Sequence, residues 1–539
     1  MPRILHLIQT KENLVQAKEN LIKAKEDIIQ TKETHIQKLD TQVAELIEKV
    51  SLLEILHFGT RSEKWTKEDD RQALLFNEAE DAAFRQQDEE KQKAVLETIE
   101  IGPYKKRKPG KQGRKPISKE LPREIREYDI SEKEKTCACG CLKTCIGEDI
   151  TERAAIKPAE VKVIREIKKK YACRKCEGTE ADEPGVVTAK GEKHLIPGSI
   201  ADESLLAWSV VEKYEFALPL YRQAKRLEYI GIPIPRATLS NLVIRTAEEC
   251  EKIYELLKEH IRSGEVVNAD ETRVQVLREK GRKPQSLSWM WVFTGGPPGK
   301  PSVVFHYDEK RSSEVPCSFF QNFDGWIQTD DFGAYQAALK RLNGNIIQVL
   351  CWAHARRKFY DCWKLTKSGH AKKAIDFIKK FFELEDLRNN YSLKGFSKHR
   401  KNRAQIIFDE FKSWLEKLFT STPPKSSLGK AVSYTLDNWE QLILYIENPL
   451  LTPSNNIAEN AIRPFVIGRK NWLFSCSPKG AKASAILYSL VESAKMNNLR
   501  PYDYLYYIFK QLPHVESKED LMGLMPFNIT PEKIKGGEN

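Results

Sequence analysis

Between residues 265 and 352 the chain runs through five short apolar stretches, EVVNAD, WMWVF, SVVFHY, GWIQTD and NIIQVLCW, and two of them end on an aspartate. Runs of this length, rich in Val, Ile, Phe and Trp, predict strands, and a helical pattern from Ser312 to Asn322 separates the third from the fourth. Three strands that can meander, followed by strands linked through helices, predict an α/β domain built on the mixed sheet of an RNase H-like core. In such a sheet the first and fourth strands are neighbours, so Asp270 and Asp330 emerge at one edge. Two carboxylates held close repel each other, and a divalent cation relieves the repulsion. Mg2+ (or Mn2+) suits the role, because both are hard ions that take carboxylate oxygens and a substrate phosphate.

A third acid has to come from later in the chain. Glu459 is the candidate, within the helix-forming run PSNNIAENAIRP. Ser454 or Asn455 can cap that helix, and Arg463 follows Glu459 by one turn on the same face.

The rest of the chain reads as a series of smaller units. KENLVQA, KENLIKA, KEDIIQT and KETHIQK repeat every seven residues, and Ile8, Val15, Ile22, Ile29, Ile36, Val43 and Val50 keep that period. This predicts a leucine zipper-like coiled coil over 1–58 and self-association to at least a dimer. Residues 59–122 turn polar and then basic, a linker in which Arg114 and Lys115 of GRKP resemble a minor-groove hook. Six of the eleven cysteines crowd between Cys137 and Cys176, which predicts a zinc ribbon over 123–196. Cys173 and Cys176 form its Cys-x-x-Cys half. The other half draws on Cys137, Cys139, Cys141 and Cys145, with Cys137 and Cys139 preferred because Gly140 suits a turn after the second ligand. Residues 197–262 are helical, and a Pro-rich break at IPIPR makes them a helix-turn-helix candidate. Thr238, Ser240 and Asn241 would face a DNA groove while Arg222, Lys225 and Arg226 meet phosphates.

The formal charge of +12 says little by its size, and the local basic runs matter more. There is no run of eighteen apolar residues, and the first residues alternate Lys and Glu where a signal peptide would be apolar. The expectation is a cytoplasmic protein in a reducing compartment, associated with the nucleoid when bound to DNA and not with a membrane.

Several long stretches carry a family resemblance. HFGTRSEKW, CIGEDITERAAIKPAEVKVIR, KYEFALPLYRQ, NADETRVQVL, IQTDDFGAYQ, CWAHARRKF, SNNIAENAIRPFVIGRKNWLF and LYSLVESAKMNN, in this order, resemble the transposase of the insertion sequence sixty-six family, the TnpC-type protein. The resemblance runs from about residue 35 to about residue 512. It implies a DDE transposase with a zipper, a zinc-finger segment, a catalytic core and a C-terminal helical domain. By its motifs Asp270 is the first acid, Asp330 the second and Glu459 the third. The core would occupy 263–352 and resume over 451–478, with a mostly helical insertion over 353–450 and the C-terminal domain over 479–539. The sequence departs from the family pattern at Asp331, where Gly is frequent, at Ser454, where Asp is frequent, and in its Cys-x-Cys-x-Cys cluster.

The activity so implied frees 3′-hydroxyls at transposon ends and joins them to target DNA, with two divalent ions at one triad. Nearby cations would hold the DNA backbone: His354, Arg356 and Arg357 in CWAHARRKF, and Arg463, Arg469 and Lys470 in AIRPFVIGRKNW. Trp472 could stack on an unpaired base. Family analogy adds element-encoded accessory proteins as partners. The alternatives are a transposase-derived DNA-binding protein without catalysis and an RNase H-like nuclease without strand transfer.

Overall fold

The computed structural model describes residues 191–535 apart from residue 343, and also residues 16, 18–20, 22–32, 35, 162–172 and 186–188. Residues 18–20 and 22–32 are helical. Most of the predicted coiled coil, the basic hook at Arg114 and Lys115, and Cys137, Cys139, Cys173 and Cys176 lie outside the described residues.

The chain divides into two units, residues 91–191 and the remainder. In the smaller unit β1 (Lys170–Ala172) and β2 (Val186–Thr188) pair antiparallel, with Lys170 opposite Thr188.

From residue 192 onward the larger unit forms four helices, α1 (Glu203–Tyr214), α2 (Leu220–Tyr229), α3 (Arg236–Glu249) and α4 (Glu251–Arg262). Asp202 caps α1 by accepting from the N–H groups of Ser204 and Leu205. The sheet follows: β3 (Val266–Gln275), β4 (Leu287–Gly295), β5 (Ser302–Asp308), α5 (Glu314–Phe319), β6 (Gly325–Thr329), α6 (Gly333–Leu339) and β7 (Ile346–Leu350). Its spatial order is β5-β4-β3-β6-β7. The first three strands form an antiparallel meander, whereas β6 runs parallel to β3 and β7 parallel to β6. The first and fourth strands of the sheet are therefore neighbours, with Asn268 opposite Gln328. The helix between the third and fourth strands is shorter than its sequence pattern, covering Glu314–Phe319.

After β7 the chain forms α7 (Trp352–Thr366), α8 (Gly369–Glu385), α9 (Leu393–Ser421), α10 (Ser427–Asp437) and α11 (Trp439–Ile443) before α12 (Asn456–Trp472) brings it back to the sheet. In α9 the buried positions Phe396, Arg400, Ala404, Phe408, Phe411, Leu415 and Leu418 recur every three or four residues, which is one helix face. That face packs on a cluster around Trp352, whose ring lies 4.7 Å from Phe381 and 5.7 Å from Trp439.

The chain then closes with α13 (Pro478–Met496), α14 (Pro501–Gln511), α15 (Lys518–Gly523) and α16 (Pro531–Lys535). Helix α13 covers the edge strand β5. Ser493 and Ser489 accept hydrogen bonds from the N–H groups of Val303 (2.9 Å) and Phe305 (2.8 Å), so groups that an open edge would expose are satisfied by side chains.

Glu492 of α13 is 6% exposed. Burial lifts its carboxyl to about 7, with Glu215 adding to the lift, even though Lys495 Nζ lies 3.0 Å away. An unfolded glutamate titrates near ~4.3, so this contribution to stability is complete below that value and is lost as pH rises through the folded value. The thermal midpoint should fall between about pH 4 and pH 7, and Glu492→Gln should flatten the fall. Parallel pH profiles for the two proteins would refute this.

Among the described residues, no helix is long and apolar enough to cross a membrane.

Candidate functional site

Strands alternate sides every residue, so Asn268 and Asp270 of β3 share a face, as do Gln328 and Asp330 on β6 and its extension. Both aspartates stand two residues beyond the last parallel pair of β3 with β6, Asn268 opposite Gln328, and at Asp270 β3 is still paired with β4. Glu459 lies in the first turn of α12, which packs across β3 and β4. The three acids come from three elements, yet both Glu459 and Asp330 oppose the ionisation of Asp270.

The electrostatics of the cluster follow from its crowding. Burial first, and then the charges of Glu271, Glu459 and Asp330, push the Asp270 carboxyl well above the usual carboxylate range. A hydrogen bond from the Glu271 N–H at 2.8 Å opposes this only in part. Asp330 is also raised, chiefly by burial, while the Phe332 N–H at 3.1 Å and the charges of Arg311 and Arg357 pull it back.

Asp331 sits next to Asp330 in sequence but is used differently. Its two oxygens accept from the side-chain amides of Gln336 and Asn438, each at 3.0 Å, which ties it to α6 and the start of α11.

Glu271 belongs to the same cluster and was not singled out from the sequence. It accepts from Arg311 Nε at 2.9 Å and from the Tyr335 hydroxyl at 2.8 Å. Arg311 in turn lies over the rings of Phe332 (3.6 Å) and Trp289 (4.7 Å). The paired acids of NADET were a signal for Glu271. Nothing local in the sequence marks Arg311 or Tyr335, which meet Glu271 only through the sheet.

Cys351, His354 and Glu459 form a second group, with one ligand atom of each lying within 4.8 Å of the others. Burial, and then Glu459, pushes the Cys351 thiol up to about 12. His354 was expected among the phosphate-binding cations, and this expectation needs correcting. Burial, followed by the charges of Arg357 and Lys358, pushes it down to about 3, so at neutral pH it is an uncharged imidazole.

The capping of α12 also differs from expectation. Asn455 occupies the N-cap position, but its side chain makes no capping hydrogen bond. It reaches into the sheet instead.

The other predicted DNA contacts fall into two places. On the α2–α3 hairpin, Arg222, Lys225, Arg226, Thr238 and Asn241 are exposed, with Ser240 half-buried. Arg226 lies 3.4 Å from Glu212 and over Trp208. Arg356 and Arg357 on α7 and Arg463, Arg469 and Lys470 on α12 are half-buried, and the charge of Arg357 reaches Asp330. Arg469 donates to the Thr272 hydroxyl at 3.2 Å, two residues along β3 from Asp270. Trp472 packs edge-on to Phe465 at 5.4 Å, as a core aromatic does.

Fold and site together define an α/β protein with a carboxylate cluster gathered at the middle of β3 and just past the carboxyl end of β6. Residues 198–483, more than half of the chain, match the family described as Transposase IS66 family. Residues 134–177 match the zinc-finger binding domain of transposase IS66, residues 489–527 the IS66 C-terminal element, and residues 45–126 the Transposase C of IS166 homeodomain. Among curated relatives, Uncharacterized protein y4jD of Sinorhizobium fredii (strain NBRC 101917 / NGR234) is 30% identical over 429 residues, covering 77% of this chain and 82% of the relative. Uncharacterized protein y4qI of the same organism is 30% identical over 503 residues, covering 90% and 89%. The chain belongs to the IS66 transposase family. Membership implies a nucleic-acid-processing protein with DNA as partner, a divalent ion in use and zinc bound in the finger segment.

Proposed function

We propose that this protein is an RNase H-like DDE transposase that cleaves transposon-end DNA to free 3′-hydroxyls and transfers them to target DNA, with Asp270, Asp330 and Glu459 as its catalytic acids. The observation that carries the reading is the convergence on Asp270 of charge from β6 and α12, elements far apart in sequence. The donor set is of the kind that holds a pair of hard divalent ions, Mg2+ or Mn2+: carboxylates that oppose one another's ionisation, with Arg311 and Arg357 drawing Asp330 only part of the way back. Such ions, when bound, neutralise the scissile phosphate and favour both the attacking and the leaving oxygen.

The chain's own part is to hold and orient. Asp270 and Asp330 each accept from a backbone N–H group, and Glu271 is engaged by Arg311, which would leave Asp270, Asp330 and Glu459 to hold the ions. Arg357, Arg463, Arg469 and Lys470 would receive the DNA backbone beside the acids. The α2–α3 hairpin, with Arg222, Lys225, Arg226, Thr238 and Asn241, would carry end recognition. The N-terminal heptads supply dimerisation, because two ends must be joined in one complex. The finger cysteines Cys137, Cys139, Cys173 and Cys176 would hold structural zinc.

A joining assay tests this reading against a nuclease or an inactive relative. Given pre-cleaved ends with free 3′-hydroxyls and Mg2+, the protein should yield joined strands. Hydrolysis without joined product would make it a nuclease, and no metal-dependent product at all would make it a DNA-binding protein.

A further inference from the structure

Beneath the acids lies a buried network of three side-chain amides. The Asn268 Nδ2 group donates to Gln328 Oε1 and to Asn455 Oδ1, each at 3.0 Å. Asn455 Nδ2 donates to the Ala269 carbonyl at 2.8 Å, and Gln328 Nε2 donates to the Thr452 carbonyl at 2.6 Å. The three residues are 4%, 1% and 1% exposed. Each amide stands one structural repeat from one acid. Asn268 precedes Asp270 by one pleat repeat, Gln328 precedes Asp330 by one pleat repeat, and Asn455 precedes Glu459 by one helical turn.

We infer that Asn268, Gln328 and Asn455 form a positioning clamp that locks β3, β6 and the start of α12 in the register at which the three acids share bound ions. The inference rests on the triad proposed above. Carboxylates that repel one another push their elements apart, and apolar packing resists such sliding poorly because it is not directional. Hydrogen bonds are directional, and neutral amides supply them without adding charge to the ion site.

The backbone of Asn455 strengthens the link. Its N–H reaches Cys351 Sγ at 3.2 Å, and its carbonyl accepts from the Glu459 N–H at 3.2 Å, so the residue joins the acid's helix to the end of β7. The clamp also accounts for the missing cap, because the Asn455 side chain is committed to β3 rather than to its own helix. Buried amides that lose a partner are costly, so the three act as a unit.

The test uses the full chain with its zinc in place, titrated with Mn2+ and followed by electron paramagnetic resonance, alongside Mg2+-dependent nicking of end DNA and thermal melting. Asn268→Ala and Asn455→Ala should each weaken Mn2+ binding and slow nicking about 10- to 100-fold, the range found when outer-shell partners of metal ligands are lost. The double variant should be little worse than the poorer single one. Gln328→Met, which keeps the volume and severs the same link, covers the case in which an alanine variant does not fold. Ile378→Val, in the helical cluster away from the acids, serves as the control for lost stability. It should melt lower while binding Mn2+ as the wild type does.

If the amide variants bind Mn2+ and nick like the wild type, or lose no more than the control, the clamp is refuted. Asp270→Asn separates the two levels. If it binds and nicks normally, the triad reading falls and the clamp with it; if it fails while the amide variants are unaffected, only the clamp falls.

Discussion

Asp270→Asn should lower metal-dependent cleavage of end DNA by about a thousandfold or more, and should raise the thermal midpoint of the protein when no Mg2+ is added. The first effect follows from losing one anionic ligand of ions that contribute several kcal/mol to the transition state, at about 1.4 kcal/mol for each tenfold in rate. The second follows from the crowding of the site. The Asp270 carboxyl is held well above the usual range by burial and by Glu271, Glu459 and Asp330, so its ionised form is disfavoured in the folded protein. A raised carboxyl contributes stability at low pH that is lost as pH rises through the folded value. The uncharged amide of Asn removes that loss, and the gap between the two proteins should widen with pH. Added Mg2+ should raise the wild-type midpoint and leave the variant nearly unmoved. Cleavage at the wild-type rate would refute the catalytic assignment, and a variant that melts lower at pH 8 without Mg2+ would refute the electrostatic one.

Arg400→Leu should destabilise the fold by about 3–5 kcal/mol, the range for breaking a buried pair by removing one partner, which is a drop in midpoint of roughly ten degrees. Arg400 is fully buried in α9. Its guanidinium donates to Glu385 at 3.1 Å and to the carbonyls of Leu451, Tyr445 and Asn448 at 2.8, 2.8 and 2.7 Å. Leu would leave four acceptors without these donors. Arg400→Lys should recover little, because an ammonium cannot present the planar fork that reaches both the carboxylate and the carbonyls. The loop that Arg400 holds leads directly to Asn455 and Glu459, so cleavage should fall with stability. A leucine variant melting within a degree or two of the wild type would rule this out.

Much of the core was legible in the chain. The runs EVVNAD and GWIQTD predicted neighbouring strands each ending at an acid; β3 and β6 do pair in parallel and Asp330 follows the end of β6, but β3 runs on to Gln275 because its antiparallel pairing with β4 continues past Asp270. The helical spacing of FDEFKSWLEKLF reappears as the buried face of α9. Less legible were the partners each side chain chose. Asn455 read as a helix cap because capping is the local option for an asparagine before a helix, and the sheet offered it a better-buried alternative. His354 read as a cation because its neighbours are basic, but those same neighbours and its burial keep it neutral. Asp331, where the family pattern has Gly, accepts from Gln336 five residues on and from Asn438 of a distant segment, a partner that its neighbours in sequence do not reveal.

Periodicity belongs to residues close in the chain, so strands, helices, the seven-residue repeat and the family motifs could all be read without coordinates. Convergence does not. That the charge of Glu459 reaches Asp270, that Arg311 and Tyr335 hold Glu271, and that Arg400 gathers three carbonyls depends on how helices pack against a twisted sheet. Burial then sets charge, because a carboxyl or an imidazole takes its ionisation from what surrounds it after folding and not from its neighbours in sequence.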